Sequence, residues 1–155
     1  AAGHVSAVGN GVRGVAVGDP VVVTLIRACG TCPSCAGGSP VACESDMASG
    51  PITDAAGNAL EQAMNTGGFA ERVVVDQSQV VKLSDGIEME AASLLACGVI
   101  TGVGAVVNAA GLRAGQDVVV IGAGGVGLNA IQGARIAGER RIIAVDMSEE
   151  KLAIA

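Results

Sequence analysis

Aromatic side chains are almost missing from this chain. Phe69 is the only one in 155 residues, with no Trp and no Tyr. Any core must therefore be aliphatic, and with half the residues hydrophobic there is enough material to build one. Charge is scarce as well: charged residues make up 15% of the chain and the net charge is −6. So few Lys and Arg argue against a nucleic-acid surface, which needs a clustered basic face. No basic-then-apolar segment opens the chain, so no secretory leader is expected. No apolar run reaches the length of about 20 residues that spans a bilayer, so no membrane partner is expected either. Solenoid-length repeats are absent. The five cysteines are odd in number, four clustered and one alone, which is not the pattern of a disulfide-stapled secreted domain. These exclusions leave a soluble, cytoplasmic chain as the expectation.

Glycine is abundant, with 24 residues, and its most informative cluster lies in DVVVIGAGGVGLNAIQGARIAGERRIIAVD, residues 117–146. Val118–Ile121 is a continuous β-branched run, as expected of a strand buried on both faces. Gly122, Gly124 and Gly127 follow in the order G-x-G-x-x-G. Val126, Ala130, Ala134 and Ala137 then recur at helical spacing, Gly138 is a helix stop, and Ile142–Val145 is a second buried-strand run closed by Asp146. Gly122 permits the strand-to-helix turn, Gly124 lets backbone approach a pyrophosphate, and Gly127 lets the helix pack closely on the strand. The helix N-terminus would face the phosphates. Gly125 and Val126 complete the cofactor-binding turn. Asp146, 24 residues past Gly122, is placed to accept hydrogen bonds from a ribose diol. The alternative is a βαβ unit whose glycines serve packing only. A P-loop is disfavoured because no Lys-Ser/Thr pair follows the glycines.

Upstream of this unit the chain reads as β-rich. His4–Val8, Val21–Ile26 and Phe69–Leu83 are strand-like, and Gly9-Asn10-Gly11 and Gly18-Asp19-Pro20 mark turns. Residues 44–68 show no sustained period and predict an irregular excursion. Residues 87–110 predict one helix or a pair, with Gly98, Gly102 and Gly104 as weak points. Ser148 predicts the N-cap of a last helix, with Glu149 and Glu150 in its first turn. The boundary between the β-rich and α/β parts is expected near residues 98–111.

Cys29, Cys32, Cys35 and Cys43 follow the spacing C-x2-C-x2-C-x7-C, with Gly30, Gly37 and Gly38 to let the loop wrap. Four thiolates so placed suit a closed, tetrahedral structural Zn2+. The rivals are disulfides, disfavoured in a reducing cytosol, an iron–sulfur cluster, whose usual bacterial run ends differently, and a thiol redox pair on Cys29 and Cys32. Cys97 stands alone in an Ala-rich helical stretch, where a cysteine is more often a small core residue than a ligand.

A four-cysteine loop preceding a dinucleotide turn resembles the zinc-dependent medium-chain dehydrogenases, the zinc-containing alcohol dehydrogenase family. VSAVGNGVRGVAVGDPVV, GGFAERVVV with VVKL, and CGVITGVGAVVNAAGLRAGQDVVVIGAGGVG agree with that family in order and spacing along nearly the whole chain. The resemblance implies an α/β fold: a partial GroES-like, β-rich catalytic domain over residues 1–98, with the structural zinc loop at 29–43. The start of a Rossmann domain, a doubly wound parallel sheet, follows over residues 99–155. It implies that Cys97 is a ligand of a catalytic zinc, that hydride passes between an alcohol or aldehyde and NAD, and that the parent protein is a homo-oligomer. His4 is followed by Val5 rather than an acid, so it is read as a strand residue and not as the histidine ligand of the family's Gly-His-Glu motif. That motif and another cysteine ligand would lie upstream. The resemblance thus implies a piece of a longer enzyme lacking both ends, inactive alone. Its two-stranded parallel sheet would be marginally stable. Asp146 favours NAD over NADP, because its charge would repel a 2′-phosphate and neither Met147 nor Ser148 is positive. Lys151 is either a ribose contact or a solvated helix charge. The alternatives are a non-catalytic nucleotide-binding module, a relative without catalytic zinc, and a thiol redox protein.

Overall fold

The computed structural model describes residues 1–46 and 52–155, which form two compact units, Ala1–Ser93 and Leu94–Ala155.

The first unit is built on a three-stranded antiparallel sheet in the order β1 (Ala2–His4), β2 (Pro20–Val23), β5 (Val80–Lys82). Three consecutive β-branched residues make β2 the buried centre: Val21, Val22 and Val23 are all in the core. Gly3 pairs with Val21, and Val22 with Val81. Pro20, which has no N–H to donate, is confined to the first position of β2, opposite His4. The turn before it is closed by the Asp19 carboxylate, which accepts the Ala16 N–H at 2.9 Å and the Lys82 ammonium at 2.6 Å. These contacts hold its carboxyl below the usual range, Lys82 contributing most. A small hairpin, β3 (Ile52–Thr53) with β4 (Ala59–Leu60), sits inside the stretch expected to be irregular. Residues 47–51 of that stretch lie outside the described residues.

Three strand-like runs do not become strands along their full length; β2 ends at Val23 rather than Ile26. β1 stops at His4 rather than continuing to Val8, and of Phe69–Leu83 only Val80–Lys82 pairs. An apolar groove of about 660 Å³ runs beside residues 1–9 and 70–75. Extended, apolar sequence needs a neighbouring strand before it becomes sheet, and none stands in that groove among the described residues. Among the described residues one polar side chain is fully buried here. Gln79, 1% exposed, donates to the carbonyls of Thr24 and Asn65 at 3.0 and 3.1 Å and accepts the Asp76 N–H at 3.2 Å.

The second unit pairs β6 (Asp117–Ile121) with β7 (Arg141–Val145) in parallel, Val119 opposite Ile143. α3 (Gly125–Ala137) connects them and ends on Gly138 in the left-handed conformation, as the glycine stop predicts. α4 (Glu149–Ile154) starts on Ser148, whose hydroxyl accepts the Lys151 N–H. Val106, Ala130 and Ala134 form the core, with Leu112, Val118, Val120 and Ile142 packed on it. The expectation of strands buried on both faces is not met. Val118 and Val120 point inward, while Val119 and Ile121 are 55% and 83% exposed. Helices cover one face of this pair and nothing among the described residues covers the other.

α2 runs unbroken from Met89 to Ala109, with π-helical turns at Leu95–Val99 and Ala105–Ala109. It corrects two expectations. The helix is long and apolar enough, by length and composition, to cross a membrane, although no run of that kind was expected. Gly98, Gly102 and Gly104 do not break it. Gly102 instead packs against α3: a Cβ there would stand 2.5 Å from the Val126 carbonyl oxygen and 2.7 Å from the Ala130 nitrogen. Gly133 meets the Val103 Cα in the same way, at 2.9 Å. The glycines let the two backbones approach, as small residues do at close helix crossings.

Candidate functional site

Two sites can be built from the residues upward, one in each unit.

In the first unit the chain leaves β2 and wraps into the cysteine loop. α1 (Pro33–Ala36) is a single turn with Pro33 at its start and the Cys32 sulfur accepting the Cys35 N–H at its N-cap. The sulfurs of Cys29, Cys32, Cys35 and Cys43 all lie within 4.8 Å of one another. Cys29 Sγ is 4.0 Å from Cys35 Sγ, and Cys32 Sγ is 4.0 Å from Cys43 Sγ. A tetrahedron of sulfurs about 2.3 Å from a zinc ion has edges of about 3.8 Å, so the arrangement matches that donor set. The thiols are free, not paired as disulfides.

Backbone dipoles converge on the same centre. The N–H groups of Thr31 and Cys32, with the Thr31 hydroxyl, hold the Cys29 thiol down to about 5. The N–H groups of Glu44 and Cys35 lower Cys32. Burial pushes Cys35 up to about 12, since a further thiolate in this group would be desolvated beside like charges. No cationic side chain among these contacts balances the cluster; a dication at its centre would hold the thiols deprotonated. Glu44 braces the loop from outside, its carboxylate accepting both the Ser34 N–H and the Ser34 hydroxyl. Sequence reading missed Glu44, although an acid directly after the last cysteine was the available signal.

In the second unit, β6 delivers the chain into the glycine turn. Gly122 sits at φ +100°, in the left-handed region that favours glycine. A Cβ on Gly127 would overlap the Gly122 carbonyl oxygen, so Gly127 is required for close packing of helix on turn. Gly124 is different. Its φ is −81° and nothing lies within 4 Å of the place its Cβ would occupy. Packing among the described residues therefore does not require glycine there. As N-cap of α3, Gly124 also supplies no side chain to cap the first turn of that helix. Asp146, at the end of β7, faces this turn: its Oδ2 accepts the Ala123 N–H at 2.7 Å and its Oδ1 accepts the Ser148 N–H at 2.9 Å. Those two bonds, Ser148 first, keep its carboxyl below the usual range, and the charge of Lys151 adds to the effect. Gly122 N–H donates to the Val145 carbonyl at 2.7 Å, so turn and strand end are joined twice.

The remaining candidates stand apart from any cluster. Cys97 is exposed on the π-helical turn of α2, and such turns are frequent at functional sites. His4 ends β1 with an exposed side chain. Among the described residues neither belongs to a group of three or more metal-ligating side chains.

Residues 1–85 match the family described as the alcohol dehydrogenase GroES-like domain. Alcohol dehydrogenase B of Mycobacterium tuberculosis is 40% identical over 159 residues, covering 97% of this chain and 42% of that protein. The NDMA-dependent alcohol dehydrogenase of Amycolatopsis methanolica is 40% identical over 153 residues, covering 94% of this chain and 41% of its own length. Among solved structures, an alcohol dehydrogenase zinc-binding domain protein from Burkholderia ambifaria superposes with a TM-score of 0.88 at 39% identity, over 99% of this chain and 44% of that one. Benzyl alcohol dehydrogenase from Acinetobacter calcoaceticus gives 0.84 at 32% identity, over 99% and 43%. The chain belongs to the alcohol dehydrogenase GroES-like domain family, with the mixed α/β fold that the resemblance implied. It spans about two fifths of the length of these relatives.

Proposed function

We propose that this chain is part of a zinc-containing, NAD-dependent alcohol dehydrogenase acting on a small alcohol or aldehyde in the cytoplasm, as a homo-oligomer. Residues 1–98 are its β-rich catalytic part and residues 99–155 the start of its dinucleotide-binding domain. The observation that carries the reading is Gly124: glycine at a position where packing among the described residues makes no demand for it, at the mouth of a helix and beside an ionised Asp146. A phosphate group lying against that backbone would supply the demand.

Cys29, Cys32, Cys35 and Cys43 hold a structural zinc, and Cys97 provides one ligand to a catalytic zinc. A catalytic zinc held in part by Cys97 would supply polarisation of an alcohol or carbonyl oxygen, and NAD would supply the hydride acceptor or donor. The chain's own residues do the rest. Gly122, Gly124, Gly125, Val126 and Gly127 shape the turn that receives the pyrophosphate, Asp146 accepts from the ribose hydroxyls, and Lys151 stands beside them. The ionised Asp146 disfavours a 2′-phosphate, hence NAD over NADP.

The test is alcohol-dependent NADH formation by the longer protein encoded around this chain, with the purified 155-residue chain alongside. Activity in the longer protein and none in the chain alone is expected. A longer protein that binds NAD but oxidises no alcohol would instead support the second reading, a non-catalytic nucleotide-binding module.

A further inference from the structure

The Asp146 carboxylate is already occupied before any nucleotide arrives. Each of its oxygens takes one backbone N–H, and the two donors lie in different loops: Ala123 in the glycine turn ahead of α3, and Ser148 at the N-cap of α4. Ala123 is 1% exposed, so water cannot readily replace the carboxylate as the partner of its N–H. Together with the Gly122 N–H on Val145, the bond fixes two successive peptide planes of the turn against the end of β7. The orientation of those planes sets where the amides at the start of α3 point.

We propose that Asp146 is a positioning residue for the diphosphate-binding turn, holding its amides in place through Ala123, in addition to reading the ribose. This rests on the nucleotide-site reading above and deepens it. It also reverses a simple electrostatic expectation. Removing a negative charge beside a diphosphate should tighten binding. Releasing the turn should weaken it, because the ligand must then order the loop itself.

The probe must lack the ribose diol, so that only the diphosphate contact is read. Titration of 2′,3′-dideoxy-ADP into the longer protein encoded around this chain and into its Asp146→Asn variant, below the unfolding transition of both, makes that comparison. The asparagine has one acceptor oxygen for two N–H donors, so the Ala123 and Ser148 clamps cannot both be kept; Asp146→Ala, which keeps neither, is titrated beside it. Affinity for the dideoxy nucleotide is expected to fall about tenfold, the worth of one charge-assisted hydrogen bond. Equal or tighter binding by Asp146→Asn overturns the positioning role while leaving the ribose contact standing. A longer wild-type protein that binds neither ADP nor the dideoxy analogue overturns the nucleotide-site reading and this inference with it. Amide exchange in the wild-type chain tests the clamp without any variant or ligand. The Ala123 N–H is expected to exchange at least about tenfold more slowly than the Gly124 N–H, and equal rates would show that the clamp does not hold.

Discussion

Replacing Gly102 by alanine adds one methyl group at the crossing of α2 and α3, and the structure gives the size of the problem. The new carbon would stand 2.5 Å from the Val126 carbonyl oxygen, 2.6 Å from the Asn129 Cβ and 2.7 Å from the Ala130 nitrogen. Non-bonded carbons rest at about 3.5–4.0 Å, so the helices must part by roughly 1 Å. Two of the three atoms are backbone and cannot swing aside. Overpacking of this kind costs about 1–3 kcal/mol, and the helix-propensity gain of alanine over glycine returns about 0.5–1 kcal/mol. A net loss of about 1–2 kcal/mol is expected. Gly104, two residues along the same helix, is the control: its nearest neighbour would be Asn108 Nδ2 at 3.9 Å, an ordinary contact. Gly104→Ala should therefore stabilise by about 0.5–1 kcal/mol. Urea unfolding followed by helical circular dichroism reports mainly on the second unit, which carries α3, α4 and most of α2. With a slope of about 2 kcal/mol/M, the Gly102→Ala midpoint should drop by roughly 0.5–1 M while the Gly104→Ala midpoint rises. Shifts of the same sign would refute the close-approach argument.

Metal analysis of anaerobically purified chain should find one zinc per molecule, and Cys35→Ser should lose it with a lower melting temperature; iron, or no metal, in the wild type would reject the structural-zinc assignment. Gln79→Leu removes two donated bonds and one accepted bond in the interior of the first unit, which predicts a loss of about 2–4 kcal/mol by denaturant titration; a loss under about 1 kcal/mol would show that water reaches that site. Asp19, Asp54, Asp76 and Asp146 are all held below the ordinary carboxylate range by hydrogen bonds, from Lys82, Asn58, Ser78 and Ser148 first. Groups depressed in the folded state stabilise it above their unfolded value, about 3.9, and the benefit disappears as pH falls through their folded values. Thermal unfolding across pH 2–6 should therefore show a plateau above about pH 5 and a steep decline below about pH 4; a flat profile would contradict those bonds.

Much of the second unit was legible because its signals are local. A left-handed Gly138, a hydroxyl at Ser148 and apolar runs at Val118–Ile121 and Ile142–Val145 act within a few residues of where they stand, and each appears where the sequence places it. The cysteine spacing was legible for the same reason, since a short loop can bring its own ligands together. Phe69–Val75 shows the opposite case. Its β propensity is plain, yet a strand exists only when another pairs with it, and no local signal says whether one does.

The sequence by itself determined the order of elements in the second unit, the caps that end them, the four-sulfur loop and the glycine turn, because these depend on backbone freedom and side-chain chemistry at adjacent positions. The tertiary structure alone decided that Gly102 is a packing surface rather than a weak point in α2, that Gln79 is interior, and that Asp146 reaches back to Ala123. Each of those depends on which distant backbone comes within a few ångströms, and that is set only when the elements pack.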